Sequence, residues 1–337
     1  MKKVAFVFSV LALGFTACEP EQSGKNLLST DAIPDSGLRY ALLRDCDKNK
    51  DGRIDEEEAN AADSLSCSGL SIKTMKGIEL FPNLRYLDCG SNPLTELDLS
   101  ANTSLVVLKC GGLDLEELDL KAHSALTCLS YNYCPFSELD LSANTALETL
   151  SCSHSQLERL NVSGCTALRT LECNDSQLAE LDLQANTALM KLDCSNNKLT
   201  ELDLASNRDL AELRCRENLL TSLDVRANAD LTYLDYSYNQ LTSIDLRNNT
   251  MLTSAVGYSN YYHVTATGNK FDLNRLPEGF DMTKAGNWRG CATDGTVLTF
   301  AQPEVTYTYQ TGYMGEDDRY KTVTFTLVCD NYDESLK

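Results

Sequence analysis

From Leu94 to Tyr261 one pattern returns every 21 residues, eight times in succession and without an insertion or deletion. The unit reads L-x-x-L-D-L-x-x-N-x-x-L-x-x-L-x-C, followed by three or four variable residues that often include Asn. One slot holds Leu99, Leu120, Leu141, Val162, Leu183, Leu204, Val225 and Leu246; another holds Leu105, Leu126, Leu147, Leu168, Leu189, Leu210, Leu231 and Leu252. A unit this short cannot enclose its own leucines. It buries them only against the unit before and the unit after, so a fixed period in this range specifies a repeat solenoid. Such a stack exposes long open surfaces, which suit binding better than catalysis.

Within a unit, Leu189 to Cys194 alternates near its end, which points Leu192 and Cys194 inward and Asp193 outward, as in a short strand. Stacking these segments predicts a parallel sheet along one face. The other half, such as Leu202-Asp203-Leu204, also alternates and is expected to form the opposite wall. Asn102, Asn144, Asn186, Asn207, Asn228 and Asn249 recur at the turn between the walls, where an amide can serve backbone groups that have left strand geometry. His123 and Gly164 read as its replacements in two units. Cys89, Cys110, Cys152, Cys173, Cys194 and Cys215 share one slot, with Tyr131 and Tyr236 in their place twice. Stacked about 4.8 Å apart, their side chains run parallel and keep their Cβ atoms too distant for disulfides. The ladder therefore reads as small buried hydrophobes with reduced thiols. Pairing of Cys46 with Cys67, and of Cys291 with Cys329, stays open at this level.

The pattern over about 72–261 resembles the leucine-rich-repeat family, specifically its 21-residue bacterial subclass with L-x-x-L-D-L in the second half. The resemblance implies a right-handed curved coil whose L-x-x-L-x-C strands line the concave face, with no room for a full helix on the convex side. Repeats are assigned to 70–262, with Leu70–Pro93 as an irregular first coil. Beyond them, 263–337 reads as a β domain. Val297-Leu298-Thr299-Phe300, Val305–Tyr309 and Thr322–Leu327 alternate as strands, and Gly312–Asp318 suits a hairpin loop. An antiparallel β cap there would close the open end of the stack.

Lys2 and Lys3 precede an apolar run from Val4 to Phe15, too short to span a bilayer. The sequence Phe15-Thr16-Ala17-Cys18 resembles the lipobox of bacterial lipoproteins. That resemblance implies a signal peptide over 1–17, lipid on Cys18, and a membrane attachment through the lipid anchor only. Residues 18–35 read as a flexible tether, and Glu19 and Glu21 resemble a weak surface-export signal. The expected location is the outer membrane, facing the cell surface. Residues 36–69 form a separate unit with two short helices around Asp47-Lys48-Asn49-Lys50-Asp51-Gly52-Arg53-Ile54-Asp55-Glu56-Glu57-Glu58. This segment resembles the EF-hand calcium loop. The match implies calcium held by Asp47, Asn49, Asp51, the Arg53 carbonyl, Asp55 and Glu58, with Gly52 at the sharp turn and Ile54 packed inward. A single such loop suggests a structural site.

A formal charge of -20 disfavours phosphate backbones, so nucleic acid is excluded as a partner. Asp98, Asp119, Asp140, Asp182, Asp203, Asp224 and Asp245, with Asn161 among them, form an outward ladder that reads mainly as a solvated face. Three histidines without nucleophile or metal-ligand spacing give no support to catalysis. The outward positions of the sheet differ from unit to unit, and Tyr and Arg dominate recognition hot spots. Arg169, Lys191, Arg214, Tyr233, Tyr238 and Tyr258 are therefore the candidate ligand-binding residues. The assembly of lipobox, calcium loop, repeats and β cap resembles leucine-rich-repeat lipoproteins of Gram-negative anaerobes. The resemblance implies adhesion to, or capture of, a protein or glycan, and the expected state is a monomer. The alternatives are a carbohydrate-binding accessory protein of a glycan-uptake system acting through the C-terminal domain, and a structural envelope protein.

Overall fold

A computed structural model describes residues 26–314 and 320–336. Cys18, the signal peptide, the start of the tether and the tip of the predicted hairpin lie outside the described residues. The repeats build one ten-stranded parallel sheet of three-residue strands. Its members are Ser64–Ser66 (β1), Tyr86–Asp88 (β2), Val107–Lys109 (β3), Cys128–Ser130 (β4), Thr149–Ser151 (β6), Thr170–Glu172 (β8), Lys191–Asp193 (β9), Glu212–Arg214 (β10), Tyr233–Asp235 (β11) and Ser254–Val256 (β12). Neighbours from β2 onward pair 21 residues apart, as in Leu192 with Leu213 and Leu213 with Leu234. The period read from the leucines is thus the register of the sheet. This is a leucine-rich-repeat solenoid.

The opposite wall departs from expectation. Among the described residues only Glu138–Asp140 (β5) and Arg159–Asn161 (β7) pair there as strands. Asp98, Asp119, Asp182 and Asp203 each accept the backbone N–H two residues on, at 2.9–3.0 Å. Asp140 inside β5 and Asn161 inside β7 make the same Asx turn, at 3.0 and 3.1 Å, so the turn is common to paired and unpaired coils. The ladder is therefore a row of turn formers. The hydroxyl and N–H of Ser100 hold Asp98 below the usual carboxylate range, and Arg226 does the same for Asp224.

The coils are locked inside by polar bonds as well as leucines. Asn207 Nδ2 donates to the carbonyls of Leu183 (3.1 Å) and Asn186 (2.8 Å), and Asn102, Asn144, Asn186, Asn228 and Asn249 make equivalent pairs. His123 fills the slot once, with Nε2 3.1 Å from the Leu99 oxygen. The second replacement is Cys165, not Gly164: its Sγ meets the Leu141 carbonyl at 3.3 Å. A Cβ on Gly164 would lie 1.8 Å from the Ser142 oxygen, so that glycine answers to close backbone approach. A second row, Asn92, Asn197, Asn218, Asn239 and Asn260, bridges coils at the other turn.

All six ladder cysteines are buried free thiols, as are Tyr131 and Tyr236 in their slot as buried phenols. Cys67 extends the row by one, since Ser66 pairs with Asp88. Each described cysteine is unbonded, which answers both open pairings. Burial pushes the thiols up, Cys46 to about 11 and Cys152 to about 12. Tyr236 is far larger than cysteine, and the next coil makes room for it with Gly257, where a Cβ would meet the Tyr236 ring at 2.0 Å.

Helices Ser36–Cys46 (α1) and Glu56–Ala61 (α2) close the N-terminal end. The Asp45 carboxylate accepts the Ser66 N–H at 3.1 Å and Arg44 donates to the Ser66 carbonyl, so α1 caps the Ser66 end of the free edge of β1. At the other end stand Tyr261–Val264 (β13), Lys270–Asp272 (β14), Ala285–Arg289 (β15), Cys291–Asp294 (β16), Val297–Phe300 (β17), Glu304–Met314 (β18) and Tyr320–Cys329 (β19). They form sheets ordered β13-β19-β18-β15 and β14-β17-β16. All pairs are antiparallel except β13 with β19. The β18–β19 hairpin is longer than the alternation suggested, because Glu304 and Gln310 continue the ladder without alternating hydrophobicity. The unit docks on the last coils: Tyr307 donates to the Thr242 carbonyl at 2.6 Å and Leu246 N–H to that of Thr311 at 2.7 Å. Tyr307, Tyr309, Phe280, Phe325 and Trp288 pack together beneath it.

Candidate ligand-binding face

On each strand of the long sheet before β12 the middle residue is buried leucine and its two neighbours face outward, so one coil contributes one rung of display positions. Arg214 and Glu212 flank Leu213; Tyr233 and Asp235 flank Leu234. Register sets Tyr233 beside Glu212 and Asp235 beside Arg214. The Arg214 guanidinium lies 4.6 Å from the centre of the Tyr233 ring and 3.2 Å from Glu212 Oε2. Burial acts to lower the Arg214 pKa, but the bond to Glu212 and the charges of Glu212 and Asp193 outweigh it, and the group is held more firmly cationic. Lys191 bonds Glu172 at 2.8 Å. Arg169 precedes β8, is exposed, and approaches Met190 Sδ at 3.7 Å.

Beyond the cysteine slot each coil turns out of the sheet through a left-handed residue. Ser91, Tyr133, His154, Asp175, Asn196, Glu217, Tyr238 and Ser259 all have φ between 54° and 59°, and Gly112 occupies the same place at 67°. Left-handed backbone costs a side-chain-bearing residue on the order of 1 kcal/mol. Bonds between coils hold it there: the Asn196 N–H reaches the Arg216 carbonyl at 2.8 Å and the Tyr238 N–H that of Tyr258 at 3.0 Å. The result is a second display row along one edge of the face. Tyr133 stacks on His154 at 4.8 Å, His154 Nδ1 sits 3.3 Å from Asp175, and Asn196 donates to Asp175 at 2.8 Å. Further along, Arg216 covers the Tyr238 ring at 4.9 Å and bonds Glu217, and Tyr238 meets Tyr258 edge-on at 5.5 Å.

Four of the six candidate residues therefore gather at the C-terminal end of the face: Arg214 with Tyr233, and Tyr238 with Tyr258. Lys191 lies one rung before Arg214, and Arg169 stands apart. Arg216, which covers Tyr238, was not singled out in sequence. Its signal was the position directly after the cysteine slot, where alternation stops.

In the N-terminal loop, Lys50 and Gly52 turn the chain with φ of 62° and 80°. Asp47 accepts the N–H groups of Lys50 (2.6 Å) and Gly52 (2.9 Å), Asn49 that of Asp51 (2.8 Å), and Asp51 that of Arg53 (2.8 Å). Asp55 caps α2 by accepting the Glu58 N–H at 2.9 Å. The buried Glu58 carboxylate accepts from Lys48 (2.9 Å) and Asn49 (3.2 Å). Ile54 is fully buried. The donors are hard oxygens and suit calcium in kind. Their side chains are committed to loop N–H groups, and among the described residues no three carboxylate, imidazole or thiol groups converge to hold a metal.

The fold and its open face are those of a leucine-rich-repeat solenoid. No protein-family model and no curated protein matches the chain. Solved structures do. An internalin, InlF, from Listeria monocytogenes is 23% identical with a TM-score of 0.56, over 69% of this chain and 78% of that one. Internalin C2 from the same species is 22% identical with a TM-score of 0.49, over 68% of this chain and 95% of that one. At such identity the likeness to InlF establishes the fold.

Proposed function

We propose that this chain captures a protein or glycan on its sheet face, displayed at the cell surface by a lipid on Cys18. The observation that carries the reading is the cluster of Arg214, Tyr233, Arg216, Tyr238 and Tyr258 at one end of an open face. Cation–π pairs pre-order these side chains, which lowers the entropy lost on binding. Calcium at Asp47, Asn49, Asp51, the Arg53 carbonyl, Asp55 and Glu58 fits this reading as a stabiliser of the unit that covers the first coil. The C-terminal domain supports capping over carbohydrate binding, because Tyr307 and Tyr309 are buried.

The test immobilises the chain from residue 19 onward, with and without calcium, against matrix proteins and glycans. Arg214→Ala and Tyr233→Ala each weaken capture of the best partner by about tenfold, the scale of a hot-spot truncation. Unchanged binding in both variants refutes the sheet-face site.

A further inference from the structure

The two ends of the long sheet are finished differently. At the N-terminal end α1 supplies Asp45 and Arg44 to the backbone of Ser66. At the C-terminal end, β12 has a strand neighbour on one side only among the described residues. Ser254 N–H reaches the Thr232 carbonyl at 3.3 Å, and the Val256 carbonyl receives the Tyr236 N–H at 2.9 Å. Ser254 and Val256 therefore face β11, and alternation turns the N–H and C=O of Ala255 the other way. On every earlier strand the residue in this position is a buried leucine; Ala255 is exposed.

Across from that edge lies β19. Its Thr326 N–H donates to the Asn260 carbonyl at 3.1 Å, so the backbone groups of Thr322, Thr324 and Thr326 share the side away from β18. β13 pairs only with Thr326 to Cys329. Thr322 and Thr324 thus present an open edge too. The two edges border a groove of about 490 Å³, lined by Ala255, Val256, Gly257 and Tyr258 on one side and by Thr322 and Thr324 on the other. None of its lining residues is charged. Exposed edges in native sheets are ordinarily blunted by charge, proline, a bulge or a covering element. Here the strand carries none of the first three, and the covering element stops short.

We propose that this groove takes an extended, uncharged polypeptide segment of a partner protein, added to β12 as an eleventh strand with an apolar residue beside Ala255. The outward N–H and C=O of Ala255, across from the edge groups of Thr322 and Thr324, match a peptide backbone, and an apolar side chain there would continue the leucine column past Leu234. Neutral walls favour a neutral run. This site is independent of the Arg214–Tyr233 cluster and shares only Tyr258 with the surface proposed above.

A displayed library of random heptapeptides, selected against the chain from residue 19 onward, supplies the probe. The tightest selected peptide is then synthesised and its affinity measured. N-methylation of its backbone at alternate residues weakens binding by about tenfold per site, and methylation at the intervening residues does not. Ala255→Pro removes the N–H that faces the groove and leaves the β11 bonds of Ser254 and Val256 in place; it weakens the peptide by a similar factor. Ala255→Lys, which retains the backbone, weakens it through charge. Arg214→Ala leaves the affinity unchanged, which separates this site from the sheet-face cluster. Failure to select any peptide overturns the proposal. So does a peptide indifferent to the methylation pattern, or one lost in Arg214→Ala but not in either Ala255 variant. Glycan binding that is abolished by Tyr258→Ala and untouched by Ala255→Pro would assign the groove to sugars instead.

Discussion

Replacing Asn207 with Ala removes two bonds that tie its coil to the one before. The carbonyls it serves are not orphaned by the change. Leu183 O still accepts the Asn186 N–H at 3.0 Å, and Asn186 O still accepts the Leu189 N–H at 3.1 Å. Each carbonyl loses its second donor, so the cost per bond is the net value of a buried hydrogen bond, about 1 kcal/mol, and not the larger penalty for an unsatisfied group. The expected loss is thus about 2 kcal/mol for Asn207→Ala. Asn207→Cys copies Cys165, which keeps one bond of the two, and its expected cost is about 1 kcal/mol. A solenoid is stabilised coil against coil, so the effect is local. Native-state hydrogen exchange resolves this by residue. Amides of Asn207, Leu210 and Leu231 lose protection by about thirtyfold in the Ala variant, while those of Cys89 and Cys110 hold theirs. Unaltered protection in Asn207→Ala, or an equal loss in both variants, refutes the assignment of these amides as cross-coil ties.

Three further outcomes are expected. Burial raises the thiols of Cys46 and Cys165 to about 11 and those of Cys67 and Cys152 to about 12, from an ordinary value of 9.0. The unfolded chain loses these protons first, so stability is fully present below pH 9.0, falls as pH rises through 11 and 12, and shows as a declining urea midpoint over that window. Iodoacetamide on the native chain from residue 19 onward at pH 8 modifies Cys128 and Cys291, the half-buried pair, and spares the ladder until denaturant is added; mass spectrometry showing Cys194 alkylated in the native state contradicts the fold. Calcium raises the thermal midpoint of the same chain and Glu58→Gln abolishes the rise. No response to calcium up to about 10 mM, well above the range of extracellular modules, removes the proposed site.

The solenoid was legible because its physics is periodic. A leucine stripe that can be buried only by neighbouring coils must repeat in register, and Leu87 through Leu234 do so. Tyr236 in the cysteine slot was legible for the same reason, although its accommodation by Gly257 was not, since that compensation lies one coil away. Cys165 was missed because cysteine as a hydrogen-bond donor in an asparagine slot has no compositional signal, and the adjacent Gly164 drew attention. The opposite wall formed as the Leu-Asp-Leu alternation implied, but the alternation is the same in coils that pair there as strands and in coils that do not, so it carried no signal for the pairing. The left-handed row was invisible for a different reason: Tyr133, His154, Asp175 and Glu217 share a backbone conformation and no side-chain chemistry. In the C-terminal domain β17 was read to the residue, but β13 to β16 mix polar and apolar residues without a period.

The three-residue rungs also determine how the molecule bears load. Tension applied between its two ends passes through every coil in series, so the whole is as strong as its weakest junction. The second asparagine row is interrupted at Leu113, Cys134, Ser155 and Ser176, and among the described residues the Ser176 hydroxyl has no partner. Yielding therefore begins in the middle of the stack, which lengthens one coil at a time while the helical cap and the β cap stay intact. Tension on the two ends is thus expected to open the stack from its middle outward.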